Sequence, residues 1–265
     1  MAENREYKSD VFAMLMENKS YALQVYNALN GSSYDDPEMV EMRNLQKIIS
    51  LSIRNDAAFI VGTDINVYEH QSSYNPNMPL RSLIYYSTII KKRVRNKDLH
   101  RKKLIRIETP HFIVFYNGKD IRPEIEVMRL SEAYKKSTNT PALELTCTVY
   151  NINPGMKILE KCTILREYTQ FVEKVRDNKE KNMENPVENA IEYCIENHIL
   201  EDFLRERGTE VIDNMAIDMT FERRIKILNN ELSKEKKRAN KEKKRADDAE
   251  KRANKLQQQL DTIRQ

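Results

Sequence analysis

The residues best suited to chemistry in this sequence lie in the stretch VYEHQS, residues 67–72. Alternate residues of a β-strand point to the same face, so Glu69 and Gln71 would lie side by side. Asp56 lies on the expected partner strand, DAAFIV. A carboxylate from each strand, with the backbone carbonyl of His70, would form a set of hard oxygen ligands of the kind that Mg²⁺ and Mn²⁺ prefer. The pattern therefore predicts a divalent-metal site at which Gln71 orients a water molecule for attack on a phosphate.

Each of these residues also has a structural interpretation. Asp56 could close a turn after Asn55, and Glu69 could be a salt-bridged residue of an edge strand. The side chain of His70 is better explained as a structural histidine than as a ligand, because no second histidine stands at metal-binding spacing. These alternatives stay open for each residue alone. The metal-site hypothesis depends on their occurring together in a suitable order of strands and helices.

The segments around these residues predict an α/β fold. DAAFIV and INVYEHQS flank a turn at Gly62 and indicate a β-hairpin. From Met78 to about Val94 the apolar residues recur at helical spacing. Residues 109–118, TPHFIVFYNG, and 143–153, LELTCTVYNIN, are typical of strands. A helix, a hairpin, a second helix and a strand, with another strand later, indicate a sheet with helices packed on it.

The flanking regions are predominantly helical in pattern. Residues 7–30 predict two short helices, broken near Asn18 and stopped at Gly31, and from Leu165 the pattern is helical again. The stretch VEMRNLQKIISLSI, which begins at Val40, fits either a helix or a partly extended segment. We therefore expect three regions: an α/β core over residues 1–160, a helical region over 161–230 and a tail over 231–265.

A cluster of positive charge lies inside the core, in residues 91–108, KKRVRNKDLHRKKLIRIE. Such a cluster can hold a polyanion through contacts with phosphates and release of counterions. The alternative is a solvated helix end and loop. The cations expected to hold the polyanion are Lys91, Lys92, Arg93, Arg95, Arg101, Lys102 and Lys103.

The tail carries a seven-residue repeat, with KRAN, KRAD and KRAN beginning at Lys237, Lys244 and Lys251. This spacing places small and apolar residues on one line of a helix, which is typical of a heptad seam. The tail holds twelve Lys and Arg residues against seven Asp and Glu residues. A coiled coil that forms a homo-oligomer and a single solvated helix are both consistent with this pattern.

The composition indicates a globular protein without a membrane partner. No apolar run in the 265 residues reaches membrane-spanning length, and the amino terminus, MAENREYKSD, is too charged for a signal peptide. We therefore expect a cytoplasmic protein. Its three cysteines, Cys147, Cys162 and Cys194, are widely spaced and are interpreted as reduced structural thiols.

The sequence resembles a known family in the order of its motifs. RNDAAFIV, VYEHQS, NPNMPLRSLIYYS and HFIVFYNG, together with VYNALNG and IEYCIENHILEDFLRERGTEVIDNM, are similar to the PD-(D/E)XK nuclease superfamily and to its Rpn-like branch of recombination-promoting nucleases and transposases. The similarity covers roughly residues 7–230. It implies a restriction-endonuclease-like core over residues 1–160, followed by the helical region and the coiled-coil-like tail.

The resemblance also implies roles for individual residues. It places Asp56 and Glu69 as ligands of Mg²⁺ or Mn²⁺, and Gln71 where the superfamily motif has Lys. A neutral amide can orient water but cannot supply the positive charge of an ammonium group. Arg81, with Tyr85 one turn further along the helix, is the candidate for that charge or for a phosphate contact. The family fold implies one more acidic residue from the first helix, for which Asp10 is the candidate.

The expected function is that of a metal-dependent DNA endonuclease. The resemblance implies hydrolysis of phosphodiester bonds with weak sequence specificity, linked to DNA recombination or transposition. The alternative is a catalytically inactive module of the same fold that binds DNA through the basic cluster and recruits a partner through the coiled-coil tail.

Overall fold

The computed structural model of the protein describes residues 8–43 and 56–215, together with Lys236. The chain divides into two compact units, Met1–Ala216 and Ile217–Gln265, and the strands and helices below all belong to the first. Apart from Lys236, the heptad tail at 231–265 lies outside the described residues, as do residues 44–55.

The described part of the chain forms six strands and eight helices. The strands are β1 (Val40–Arg43), β2 (Asp56–Val61), β3 (Asp64–Gln71), β4 (Thr109–Tyr116), β5 (Ile125–Arg129) and β6 (Thr146–Asn151). The helices are α1 (Lys8–Met16), α2 (Lys19–Asn30), α3 (Met78–Arg93), α4 (Asn96–Leu99), α5 (Ile158–Lys161), α6 (Thr163–Glu180), α7 (Pro186–Glu196) and α8 (residues 201–215). Short 3₁₀ turns at Pro37–Met39 and Leu130–Ala133 complete the set.

The six strands form one mixed sheet in the order β1-β2-β3-β4-β6-β5. Strands β1, β2 and β3 are antiparallel to one another, β3 and β4 are parallel, β4 and β6 are parallel, and β5 returns antiparallel to β6. Helix α3 connects β3 to its parallel neighbour β4, as a crossover connection requires. The predicted α/β class and the predicted hairpin between β2 and β3 are confirmed.

Local sequence signals explain where several of these elements begin and end. The Asn18 side chain accepts hydrogen bonds from the backbone N–H groups of Ser20 and Tyr21, which caps the start of α2. Gly31 ends that helix with a φ of 64°, and Gly62 turns the hairpin with a φ of 60°. The predicted break near Asn18 and the stop at Gly31 are therefore confirmed.

Two cores cover the two faces of the sheet. On one face, α3 packs Met78, Tyr85 and Ile89 against apolar side chains of β2, β3, β4, β5 and β6. On the other face, Phe12 of α1 lies 5.4 Å from the ring of Tyr168 of α6. The helical residues that follow β6 thus pack on the same sheet and belong to the same compact unit.

The two edge strands are the parts of the sheet that the sequence left open or did not predict. The segment beginning at Val40, which fitted helix or strand, is extended over Val40–Arg43. Strand β5 over Ile125–Arg129 was not predicted, because IEVMR is only five residues long and is mostly exposed at the edge of the sheet. So short an alternation carries little periodic signal.

Among the described helices, none is both long enough and apolar enough to cross a lipid bilayer.

Candidate functional site

The hairpin brings the predicted carboxylate positions opposite each other. Asp56 begins β2 and is the direct register partner of Glu69, near the end of β3. Residues that are directly opposite in an antiparallel pair lie about 5 Å apart at their Cβ atoms. The sequence-predicted pairing of Asp56 with Glu69 is therefore present in the backbone, while the side chain of Asp56 lies outside the described part of the structure.

Glu69 is a buried carboxylate, and one of its oxygens lies close to two nitrogen donors. Its Oε1 lies 2.9 Å from Arg81 Nη1 and 3.0 Å from Gln71 Nε2. Glu69 is 6% exposed, so its charge is largely removed from water. A buried carboxylate is stable as an anion only when a cation and hydrogen-bond donors compensate it, and Arg81 and Gln71 both contribute to that compensation.

Gln71 is held in one orientation by two donations from its amide nitrogen. Nε2 donates to Glu69 Oε1 and lies 2.6 Å from Met78 Sδ, at the first residue of α3. Since an amide nitrogen has two hydrogens, these contacts leave Oε1 as the acceptor end of the side chain. An acceptor beside a carboxylate is what is needed to orient a water molecule or to complete a set of oxygen ligands.

Arg81 reaches this cluster from the first turn of α3. Its Nε and Nη2 donate to the hydroxyl of Tyr85, at 3.1 and 3.0 Å, while Nη1 faces Glu69. The Tyr85 ring is buried, so it gives the guanidinium a fixed support. Arg81 also lies near the positive end of the α3 dipole, which favours anions. The helical spacing predicted from the sequence therefore places Arg81 and Tyr85 together beside Glu69.

The backbone carbonyl of His70 points towards β2. The carbonyl of Gln71 accepts a hydrogen bond of 2.9 Å from the N–H of Asn117, on the β4 side. Because successive residues of a strand turn their backbone groups to opposite neighbours, the His70 carbonyl is on the side of β2, where Asp56 begins. The predicted use of this carbonyl as a ligand is compatible with the strand order.

The imidazole of His70 belongs to the opposite face of the sheet. It stacks on Phe12, with ring centroids 5.6 Å apart, and meets Tyr168 edge-on at 5.3 Å. His70 is 2% exposed. These contacts describe a packed histidine, in agreement with the structural interpretation of its side chain.

The oxygen donors near Glu69 have the chemistry that a hard divalent cation requires. They are the carboxylate of Glu69, the amide oxygen of Gln71 and the carbonyl of His70, with Asp56 opposite in register. No group of three or more His, Cys, Asp or Glu side chains with metal-binding spacing occurs among the described residues. The residues present therefore fit a magnesium or manganese ion only if backbone and amide oxygens complete the set.

Asp10, the candidate acidic residue from the first helix, lies on α1. Phe12 of the same helix packs on the face of the sheet opposite to α3 and contacts His70 and Phe115. Glu69 and Gln71 face α3. The side chain of Asp10 lies outside the described part of the structure, so its predicted role stays a prediction.

Three residues beneath and beside the cluster were not part of the predicted site. They are Met78, which contacts Gln71, and the buried pair Ser82 and Cys147, whose Oγ and Sγ atoms lie 3.3 Å apart. Burial raises the pKa of the Cys147 thiol to about 11, with the negative charge of Glu69 adding to the rise and the Ser82 hydrogen bond opposing it. The thiol is therefore neutral near pH 7, which agrees with a reduced structural cysteine. Met78 and Ser82 could have been found from their positions on the apolar side of α3, whereas Cys147 depends on sheet order.

The end of β4 closes tightly against the chain that follows Gln71. A Cβ atom at Gly118 would lie 2.5 Å from the carbonyl oxygen of Ser72, so only glycine allows this approach. Together with the hydrogen bond from Asn117 to Gln71, this contact fixes the connection between β3 and α3. Arg81 and Gln71 are thereby held at the two ends of one short, constrained segment.

The basic cluster at residues 91–108 lies towards the other end of α3. Lys91 is ten residues after Arg81, which is about 15 Å along a helix. Three of its arginines are engaged by acidic neighbours: Arg93 pairs with Glu108, and Arg95 and Arg101 both pair with Asp98. Lys102 and Lys103 are exposed.

Two cavities in the described part of the structure lie elsewhere. One of about 510 Å³ is bounded by α6, Tyr193 and Ile199, and another of about 420 Å³ lies beside residues 118–122. Neither is lined by Glu69, Gln71 or Arg81.

Comparison of the chain with known protein families, curated proteins and solved structures finds no match. A functional assignment therefore depends on the geometry around Glu69 and on the motif resemblance.

Proposed function

We propose that the protein is a DNA endonuclease that hydrolyses phosphodiester bonds with the help of Mg²⁺ or Mn²⁺, at the site formed by Asp56, Glu69 and Gln71. The observation that supports it most is the placement of Glu69 and Gln71 side by side at the end of β3, opposite Asp56 and against the first turn of α3. This is the arrangement that the PD-(D/E)XK resemblance implies. A link to DNA recombination or transposition follows from the same resemblance.

In this proposal each side chain has a separate task. Glu69 and Asp56 provide negative charge for the ion, with the His70 carbonyl as a neutral donor. A bound ion supplies an activated water and stabilises charge on the phosphate oxygens. Gln71 orients the water through Oε1, since its amide nitrogen is already engaged by Glu69 and Met78. Arg81 and the positive end of α3 favour the approach of a phosphate.

The basic cluster fits a DNA backbone that extends beyond the site. A distance of about 15 Å along α3 corresponds to between four and five base pairs at about 3.4 Å per step. Lys102 and Lys103 would then contact phosphates several nucleotides from the one that is cut. Such contacts carry no information about the base sequence, so weak sequence specificity is expected.

A second candidate function is a catalytically inactive module that binds DNA or acts as a scaffold. The ion pair between Glu69 and Arg81 favours it, because a carboxylate that is already neutralised by a cation has less need of a metal. The basic cluster and the heptad tail would serve such a module equally well.

Incubation of the full chain with supercoiled plasmid, with and without Mg²⁺ or Mn²⁺, separates the two functions. The nuclease proposal expects nicking that requires the ion and is absent in Glu69→Gln, which keeps the shape of the side chain but removes its charge. DNA binding without nicking in every metal condition would contradict the nuclease proposal and leave the binding module.

A further inference from the structure

Glu69 and Arg81 form an ion pair between one buried and one movable partner. The Glu69 side chain is 8% exposed and that of Arg81 is 36% exposed. Nη1 of Arg81 lies 2.9 Å from Glu69 Oε1, while Nε and Nη2 donate to the Tyr85 hydroxyl. The carboxylate is held on a buried strand, whereas the guanidinium is carried on a long, partly exposed side chain.

We propose that Arg81 is the resident counter-ion of the metal site, which neutralises Glu69 before a divalent ion binds and is transferred to a DNA phosphate when the ion takes its place. This inference depends on the proposed function, since it concerns the same carboxylate. It assigns Arg81 a role that is coupled to metal and substrate, beyond that of a constant phosphate contact.

The electrostatics of a buried carboxylate are the reason for the exchange. An uncompensated anion at the position of Glu69 would be costly, so the metal-free site needs a cation from the protein. A divalent ion and a guanidinium at the same oxygen repel each other, so binding of one lowers the affinity for the other. The two cations therefore compete for Glu69.

Because Tyr85 holds the Arg81 guanidinium, only a short movement is needed to release Glu69. The buried hydroxyl of Tyr85 accepts from both Nε and Nη2 of Arg81, so the guanidinium can turn about this support while it releases Nη1 from Glu69. The released group lies at the start of α3, where the helix dipole also attracts an anion. An arginine binds phosphate with two parallel donations, which makes a DNA phosphate the natural new partner.

The test measures Mn²⁺ affinity by titration calorimetry, without DNA and without any reading of activity. Arg81→Gln removes the competing cation and should tighten Mn²⁺ binding by about tenfold, a coupling typical of residues in direct contact. Arg207→Gln is the matched control, because it removes one partly exposed arginine that is paired with Glu17 and Glu210 instead of Glu69 and lies outside the basic cluster. Its Mn²⁺ affinity should equal that of the parent.

Two further variants protect the test against a trivial result. Arg81→Lys keeps a cation near Glu69 and should bind Mn²⁺ less tightly than Arg81→Gln. A loss of folding in Arg81→Gln would not produce this order of affinities. Tyr85→Phe removes the support for the guanidinium and should bind Mn²⁺ more tightly than the parent. Melting temperatures establish that each variant is folded.

DNA binding provides the second readout. With Ca²⁺ in place of Mn²⁺, the parent should bind a short duplex more tightly than it does without a divalent ion, because Arg81 is released to the phosphate. Arg81→Gln should lose that additional affinity, while Arg207→Gln should keep it.

The outcomes distinguish this inference from the proposed function. Unchanged or weaker Mn²⁺ binding by Arg81→Gln, beside a parent that binds the ion, would overturn the counter-ion role and leave the nuclease proposal intact. If Arg81→Gln binds Mn²⁺ more tightly than the parent, but the parent does not nick DNA, the counter-ion role is supported and the nuclease proposal is contradicted. If neither protein binds Mn²⁺, both proposals fail.

Discussion

The amide nitrogen of Gln71 lies 3.0 Å from Glu69 Oε1, so the residue that replaces the expected lysine donates to the same carboxylate that the lysine would face. The contact places a neutral donor where the superfamily motif has a positive charge. Arg81 brings that charge from α3 instead, at 2.9 Å from the same oxygen. In the proposed nuclease, Gln71 and Arg81 would together take the place of that lysine.

This arrangement predicts the effect of changing Gln71. Gln71→Ala should reduce nicking by less than Glu69→Ala, because the amide only orients water, whereas the carboxylate holds the ion. Gln71→Lys should keep nicking, because it restores the motif, although it loses the contact with Met78. Initial rates of plasmid nicking at saturating Mn²⁺ measure both. A Gln71→Lys protein with no activity, folded and able to bind Mn²⁺, would contradict the assignment.

Removal of either carboxylate should abolish the response to metal. Asp56→Ala and Glu69→Ala should each lower nicking by orders of magnitude and should remove the rise in melting temperature caused by Mn²⁺. Glu69→Ala should also destabilise the metal-free protein, by about 1.5 to 3 kcal/mol, because Arg81 and Gln71 lose a charged hydrogen-bond partner. Thermal melts with and without Mn²⁺ provide the measurement. If Asp56→Ala lowers the melting temperature but keeps its full Mn²⁺ shift, Asp56 is a turn residue and no ligand.

The basic cluster predicts a sequence-independent effect on DNA binding. Reversal of Lys102 and Lys103 to Glu should weaken affinity for all duplexes and flatten its dependence on salt concentration. Lys135 and Lys136, also adjacent and exposed, provide the control pair for the same change in net charge. Fluorescence anisotropy over a range of salt concentrations measures both properties. Equal losses in the two double variants would mean that overall charge, and no particular surface, holds the DNA.

The buried thiols and phenols predict alkaline instability. Burial raises the pKa of Cys147 and of Cys194 to about 11, and burial with the Asp64 hydrogen bond raises that of Tyr26 to about 12. The folded protein therefore keeps these protons to a higher pH than the unfolded chain does. Below the ordinary cysteine pKa of about 8.5, these groups are protonated in both states and do not lower the free energy of unfolding. As the pH rises from there towards the pKa values of the folded protein, the free energy of unfolding falls. Melting temperatures against pH should show this decline.

Thiol reactivity tests the burial that raises these pKa values. Cys147 and Cys194 are fully buried, and only the thiolate reacts readily with a disulfide reagent. At about pH 8 the native protein should react far more slowly than the denatured protein, and more slowly than a pKa near 8.5 would allow. Rapid reaction of all thiols in the native protein would contradict the raised values.

The heptad tail predicts self-association that is independent of the site. Deletion of residues 231–265 should lower the mass found by light scattering and should leave metal-dependent nicking measurable. Nicking should become weaker at high salt, because the deletion removes twelve basic residues. An unchanged mass would refute the coiled coil.

Local patterns were sufficient for much of the fold and for part of the site. The alternation of INVYEHQS put Glu69 and Gln71 on one face of a strand, and the turn at Gly62 paired that strand with DAAFIV, which brought Asp56 opposite Glu69. The helical spacing after Met78 put Arg81 one turn before Tyr85. These predictions succeeded because each depends on residues close in sequence, for which strand and helix periods determine direction.

Contacts between distant segments depended on the tertiary structure. The position of Cys147 beneath the cluster follows from the sheet order, in which β6 enters beside β4 ahead of β5. The short edge strand β5 had no periodic signal of its own, since its pairing with β6 is what makes it a strand. The ion pair between Arg81 and Glu69 required the depth to which α3 packs on the sheet, which is a balance of many side-chain contacts. Sequence periodicity states which way a side chain points along its own element, whereas the distance to another element is determined by how the whole core packs.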